Sequence, residues 1–74
     1  MTKLPVVSGK DAVKALLKIG YDNDHQRGSH IVLRQRTSPY RRITIPNHKE
    51  IAKGTLRAII RETGLTVEEF ADLL

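Results

Sequence analysis

The sequence predicts an α+β domain in which two main helices cover one face of a three-stranded antiparallel sheet, with a short third helix at the C-terminal end. Three observations carry this expectation. Apolar residues recur at helical spacing near both ends of the chain, and Gly20 and Gly64 close the two helical runs. Residues 21–46 lack that period and hold two β-branched triplets instead. Turn-forming residues sit between the triplets. Seventy-four residues make one domain, expected to span 1–74. A chain of this length buries only about 60% of the surface it exposes when unfolded, so any chemistry belongs in a shallow surface groove and uses few residues.

The first helix is expected to start at Ser8, which caps it. Asp11 takes the third helical position, where an acid complements the positive helix end. Val13, Leu16 and Leu17 give the apolar stripe, and Lys10, Lys14 and Lys18 form a basic ridge opposite it. Arg27-Gly28-Ser29 reads as a tight hairpin turn, with Gly28 supplying a backbone angle that other residues avoid. A strand over Tyr21–Gln26 is then required before it, although Asp22, Asn23, Asp24 and His25 are poor strand formers. Ile31-Val32-Leu33 is the second strand, Thr37-Ser38-Pro39 a turn, and Ile43-Thr44-Ile45 the third strand, ended by Pro46. Gly54–Thr63 is the second helix, with Leu56, Ile59 and Ile60 inside and Lys53, Arg57 and Arg61 as a second basic ridge. Thr66-Val67-Glu68-Glu69 is a capping box. It opens a short helix whose apolar side (Val67, Phe70, Ala71, Leu74) either closes the core or docks a partner. This order is the one found in double-stranded RNA-binding domains, and order alone assigns no function.

Charge narrows the function. Thirteen Lys and Arg stand against eight acidic residues, a formal +5 with a sequence pI of about 10.0. Such a balance favours a polyanionic partner, nucleic acid ahead of an acidic protein surface. There is no Cys, which excludes disulfides and cysteine-based zinc sites. No apolar run approaches the ~20 residues of a membrane span, and the first residues lack the apolar core of a secretory signal. The expectation is a soluble cytoplasmic domain with no membrane partner and no cofactor. The three His residues match no common zinc spacing, so no metal is expected.

Strand alternation places the functional candidates. With Ile31, Leu33, Ile43 and Ile45 turned towards the helices, His30, Val32, Arg34 and Arg36 share the open face with Arg42 and Thr44. A histidine among arginines on a flat surface suits RNA, which is read through shape, phosphates and 2′-hydroxyls. Arginine presents a planar fork to phosphate. His30, with an unperturbed pKa of ~6.5 for its type, is the candidate acid/base. A base takes the proton of a 2′-hydroxyl, that oxygen attacks the adjacent phosphate, and the 5′-oxygen leaves. Gly28 and Ser29 support the catalytic turn through a backbone N–H or a hydroxyl. Arg27, Arg34, Arg36, Arg42, Lys53 and Arg57 are the candidate RNA contacts. His48 is a second acid/base group, an RNA contact or a turn residue, and His25 is the weakest candidate. Taken as a bare motif, Gly28-Ser29-His30 is more often structural than catalytic.

Several short motifs together resemble the HicA toxin family. They are Ser8-Gly9-Lys10, Gly20-Tyr21, Arg27-Gly28-Ser29-His30, the run Ile43-Thr44-Ile45-Pro46-Asn47-His48, and Lys53-Gly54-Thr55-Leu56-Arg57-Ala58-Ile59-Ile60-Arg61 followed by Gly64-Leu65. The resemblance covers most of the chain in order. It implies a double-stranded RNA-binding-like fold and ribosome-independent cleavage of single-stranded messenger RNA. It also implies a type II toxin–antitoxin pair with a HicB-like antitoxin as partner. The family's catalytic histidine falls on His30, the glycine of its motif on Gly28, and its Pro-x-His on Pro46 and His48. The polar Asp22–His25 stretch departs from the family's apolar first strand. Two other readings of the residues stand beside the enzyme: a non-catalytic RNA-binding module, and a protein-interaction subunit whose basic face docks an acidic partner.

Overall fold

A computed structural model describes residues 3–74, so residues 1 and 2 of the expected span lie outside the described residues. The element order is α1 (Gly9–Leu17), β1 (Tyr21–Arg27), β2 (His30–Gln35), β3 (Arg42–Pro46), α2 (Lys53–Thr63) and α3 (Val67–Ala71). The strands form one antiparallel meander in the order β1-β2-β3. Helix α1 lies across β1 and β3, α2 packs on β3, and α3 packs on α2. The fold is thus α+β, with the helix–sheet–helix order of a double-stranded RNA-binding domain.

Local chemistry fixes the ends of these elements. The Ser8 hydroxyl accepts from the Asp11 N–H at 3.1 Å and caps α1. Helix α1 stops at Leu17, three residues before Gly20, which ends the turn into β1 with a φ of +102°. Its buried face is Gly9, Ala12, Ala15 and Leu16, while Val13 only edges the core. The expected stripe was therefore rotated, because two small alanines allow close approach where larger residues were expected. Thr66 and Glu69 form the reciprocal capping box of α3. Phe70 is fully buried, so α3 closes the core. The helix ends at Ala71, and the tightened turn after it brings Leu73 onto the core in place of the expected Leu74, which is half exposed.

The polar β1 exists despite its composition. Only Tyr21 of this strand is buried. Pairing to β2 through backbone hydrogen bonds, with a tight turn fixing the register, substitutes for apolar burial. The turn is the pair Gly28-Ser29, with Arg27 inside β1, and Gly28 has a φ of +58°. A positive φ at the first central residue is the type II′ pattern that glycine favours. A bulge between Asn23 and His25 leaves Asp24 without a cross-strand partner.

Candidate active site on the open sheet face

Register organises the face away from the helices into three rows across the sheet. At one end stand Arg27, His30 and Pro46; in the middle His25, Val32 and Thr44; at the other end Asp22, Arg34 and Arg42. His30 and Arg34 are four residues apart, so the two ends are separated by about 13 Å along β2. His30 is exposed as the first residue of β2, directly after the turn. Backbone bonds on both sides hold its position. Arg27 is its partner in β1, and the Asn47 N–H donates to the Ser29 carbonyl at 2.6 Å.

At this end a groove of about 340 Å³ is lined by His30, Thr44, Pro46, His48, Ala52 and Thr55. Ala52 and Thr55 belong to the start of α2. That helix has no side-chain cap and no acid in its first turn, unlike α1 and α3. Its N-terminal N–H groups and Lys53 favour an anion here. The groove therefore combines two imidazoles, two hydroxyls and a positive helix end. Such a set can hold a phosphate and move protons beside it.

The loop carrying His48 is fixed from the other side by α1. The Gly9 N–H donates to the His48 carbonyl at 2.8 Å, and the Ile51 N–H to the Val7 carbonyl at 2.8 Å. A Cβ on Gly9 would fall on the Pro46 carbonyl oxygen and 2.8 Å from the Asn47 Cα. Glycine is the residue that permits this approach. Sequence reasoning gave no role to Gly9, Asn47 or Thr55. The signal for Gly9 was a helix-destabilising residue immediately after a good cap.

The opposite end is mixed in charge. Asp24 accepts from His25 Nδ1 at 2.9 Å and pairs with Arg42 Nε at 3.4 Å. The hydrogen bond from His25, with help from the Arg42 charge, holds the Asp24 carboxyl below its usual range. This carboxylate also relieves the repulsion between Arg34 and Arg42, which face each other across β2 and β3. Arg36 departs from expectation. It lies beyond β2, and its guanidinium donates to the Asp22 carboxylate and to the Leu17 and Tyr21 carbonyls at 2.9, 3.1 and 3.3 Å. Arg36 thus ties the end of α1 to β1 while lining, with Arg34, the concavity at this end of the face. The β2 strand ends at Gln35, so alternation no longer governs the next side chain. Val32 is half-buried rather than fully open. Lys53, exposed at the start of α2, follows the lining residue Ala52 without itself lining the groove, and Arg57 is exposed one turn further along α2.

The fold and this face define a small α+β protein with a histidine-bearing groove between the open sheet face and the start of a helix. The chain belongs to the HicA toxin family: the family described as the HicA toxin of bacterial toxin–antitoxin systems matches residues 9–65. No individual curated protein matches it. The matched span runs from the buried Gly9 to Leu65 and includes both histidines of the groove. Membership makes the protein the toxin of a toxin–antitoxin pair. Among the described residues no helix is long and apolar enough to cross a membrane.

Proposed function

We propose that this toxin is a metal-independent endoribonuclease that cleaves single-stranded messenger RNA in the cytoplasm and so inhibits translation. The observation that carries the reading is the groove in which His30 meets His48, Thr55 and the uncapped start of α2. His30 takes the 2′-hydroxyl proton. The 2′-oxygen bonds to phosphorus, and the bond from phosphorus to the 5′-oxygen breaks. His48, as imidazolium, returns a proton to that leaving oxygen. The products are a 2′,3′-cyclic phosphate and a 5′-hydroxyl. Charge developing on the phosphate is stabilised by the helix end and by Arg27 and Lys53. Gly28 and Ser29 hold His30 at the mouth of the groove. Arg34, Arg42 and Arg57 extend the cationic track, and Arg36 serves it indirectly by supporting β1.

A HicB-like antitoxin is the proposed protein partner, and covering the open face would shield His30 and exclude RNA together. Expression in a growing cell tests the enzyme reading. Wild-type protein arrests growth, His30→Ala does not, and co-expression with the antitoxin restores growth. Equal arrest by folded His30→Ala protein would overturn the role of His30.

A further inference from the structure

The open face carries a second concavity at the end remote from His30. It holds about 340 Å³ and is bounded by Asp22, Asp24, Arg34, Gln35, Arg36 and Tyr40. The chain has only three Phe, Tyr or Trp side chains. Tyr21 and Phe70 are in the core, at 3% and 0% exposure, while Tyr40 is 50% exposed. Its backbone sits at a φ of +55°, a left-handed conformation unusual for a non-glycine residue. The Tyr40 N–H donates to the Thr37 carbonyl at 2.8 Å, which fixes the turn that presents the ring. The Arg34 guanidinium lies 5.2 Å from the ring centroid. An aromatic ring and an arginine plane held at a surface form a stacking platform for a flat π system.

Charge selects what stacks there. Asp22 is paired with Arg36, and Asp24 with His25 and Arg42, so the lining is balanced in charge and lacks the net positive charge of a phosphate site; the remaining carboxylate lone pairs accept hydrogen bonds without donating any. The planar, uncharged part of an RNA strand is its base. Adenine, cytosine and guanine each carry an exocyclic amino group that donates to a carboxylate. Uracil has no exocyclic amino group: its single N3–H donor sits between two carbonyl acceptors, so it meets the acids less well. We propose that this pocket is a nucleobase subsite, taking a base with an exocyclic amino group in preference to uracil. The inference rests on the reading of this protein as an RNA-cleaving toxin. It adds that a single strand runs along β2, with its phosphate at His30 and a base of a nearby nucleotide at Tyr40.

Binding to uncut RNA tests it. His30→Ala protein is titrated with labelled oligoadenylate, oligocytidylate and oligouridylate of equal length. The adenine and cytosine strands bind severalfold more tightly than the uracil strand. Tyr40→Asn removes the ring while keeping a residue that tolerates the left-handed backbone, and weakens binding about tenfold. Tyr40→Phe retains binding. Asp22→Asn with Asp24→Asn raises overall affinity and erases the preference against uracil. A merely structural Tyr40 would leave affinity unchanged in the folded Asn variant. Equal binding of all three strands, or no loss on removal of the ring, overturns the subsite. Wild-type protein that cuts RNA while its His30→Ala form shows no base preference leaves the nuclease standing without the subsite. Base preference in a wild-type protein that does not cut leaves the subsite without the nuclease.

Discussion

Replacing Gly9 by Ala tests whether the groove is assembled by close packing of α1 on the Pro46–His48 loop. The new Cβ would overlap the Pro46 carbonyl oxygen and lie 2.8 Å from the Asn47 Cα, both backbone atoms that cannot rotate away. Non-bonded heavy atoms rest near ~3.5 Å, so helix or loop must move by about 1 Å. Overpacking of this kind costs about 1–3 kcal/mol, offset by under about 1 kcal/mol from the better helix propensity of Ala. For a domain of this size the melting temperature falls by about 5–15 °C. The same displacement moves His48 and, through the Asn47–Ser29 hydrogen bond, the turn before His30. A misplacement of about 1 Å reduces a cleavage rate by about 100-fold. Gly54→Ala is the internal control. Gly54 also lies in the first turn of a helix, but a Cβ there meets nothing within 4 Å. That variant keeps its stability or gains up to about 1 kcal/mol, so its melting temperature does not fall. Thermal unfolding followed by circular dichroism, with RNA cleavage measured below both transitions, gives the result. Equal melting temperatures and equal rates for the two alanine variants would refute the packing argument.

Phe70→Ala removes a fully buried ring and lowers stability by about 3–5 kcal/mol in urea unfolding, whereas Leu74→Ala, half exposed, stays within about 0.5 kcal/mol. Arg36→Ala loses three charge-assisted hydrogen bonds at the α1–β1 junction, lowers stability by about 1–2 kcal/mol, and weakens RNA binding less than Tyr40→Asn does. Arg42→Ala breaks one exposed pair, changes stability by at most about 1 kcal/mol, and weakens RNA binding. The Asp24 carboxyl titrates below its ordinary value of 3.8, so its contribution is present above that pH and is lost as pH falls through the lower, folded value. Wild-type protein is therefore more stable than Asp24→Asn at neutral pH, and melting curves of the two converge on acidification below about pH 4.

The helices and the two apolar strands were legible because burial imposes a period on them. Leu56, Ile59 and Ile60 repeat at helical spacing, and Ile31, Leu33, Ile43 and Ile45 alternate, so both mark the core directly. The Ser8 cap and the Thr66 capping box are local and could be read from a few residues. β1 was harder, since an exposed strand held by backbone pairing leaves no apolar signature beyond Tyr21. Alternation put His30, Arg34 and Arg42 on the open face, and gave no sign that Arg36, beyond the strand end, also ties α1 to β1. The groove itself was not legible. It is built by Gly9, Asn47 and Thr55, which come from three separate segments and meet only after the sheet has packed against α1 and α2. Tyr40 escaped notice for a similar reason, because an isolated tyrosine after a turn gives no sign of its exposure or its backbone angle.

Cleavage of a defined single-stranded RNA in excess chelator, with chemical analysis of the new ends, tests the proposed mechanism most directly. Wild-type toxin is expected to produce 2′,3′-cyclic phosphate and 5′-hydroxyl termini without added metal, and folded His30→Ala protein to produce none. Intact RNA with the folded wild type, or the same termini at the same rate from His30→Ala, would contradict it.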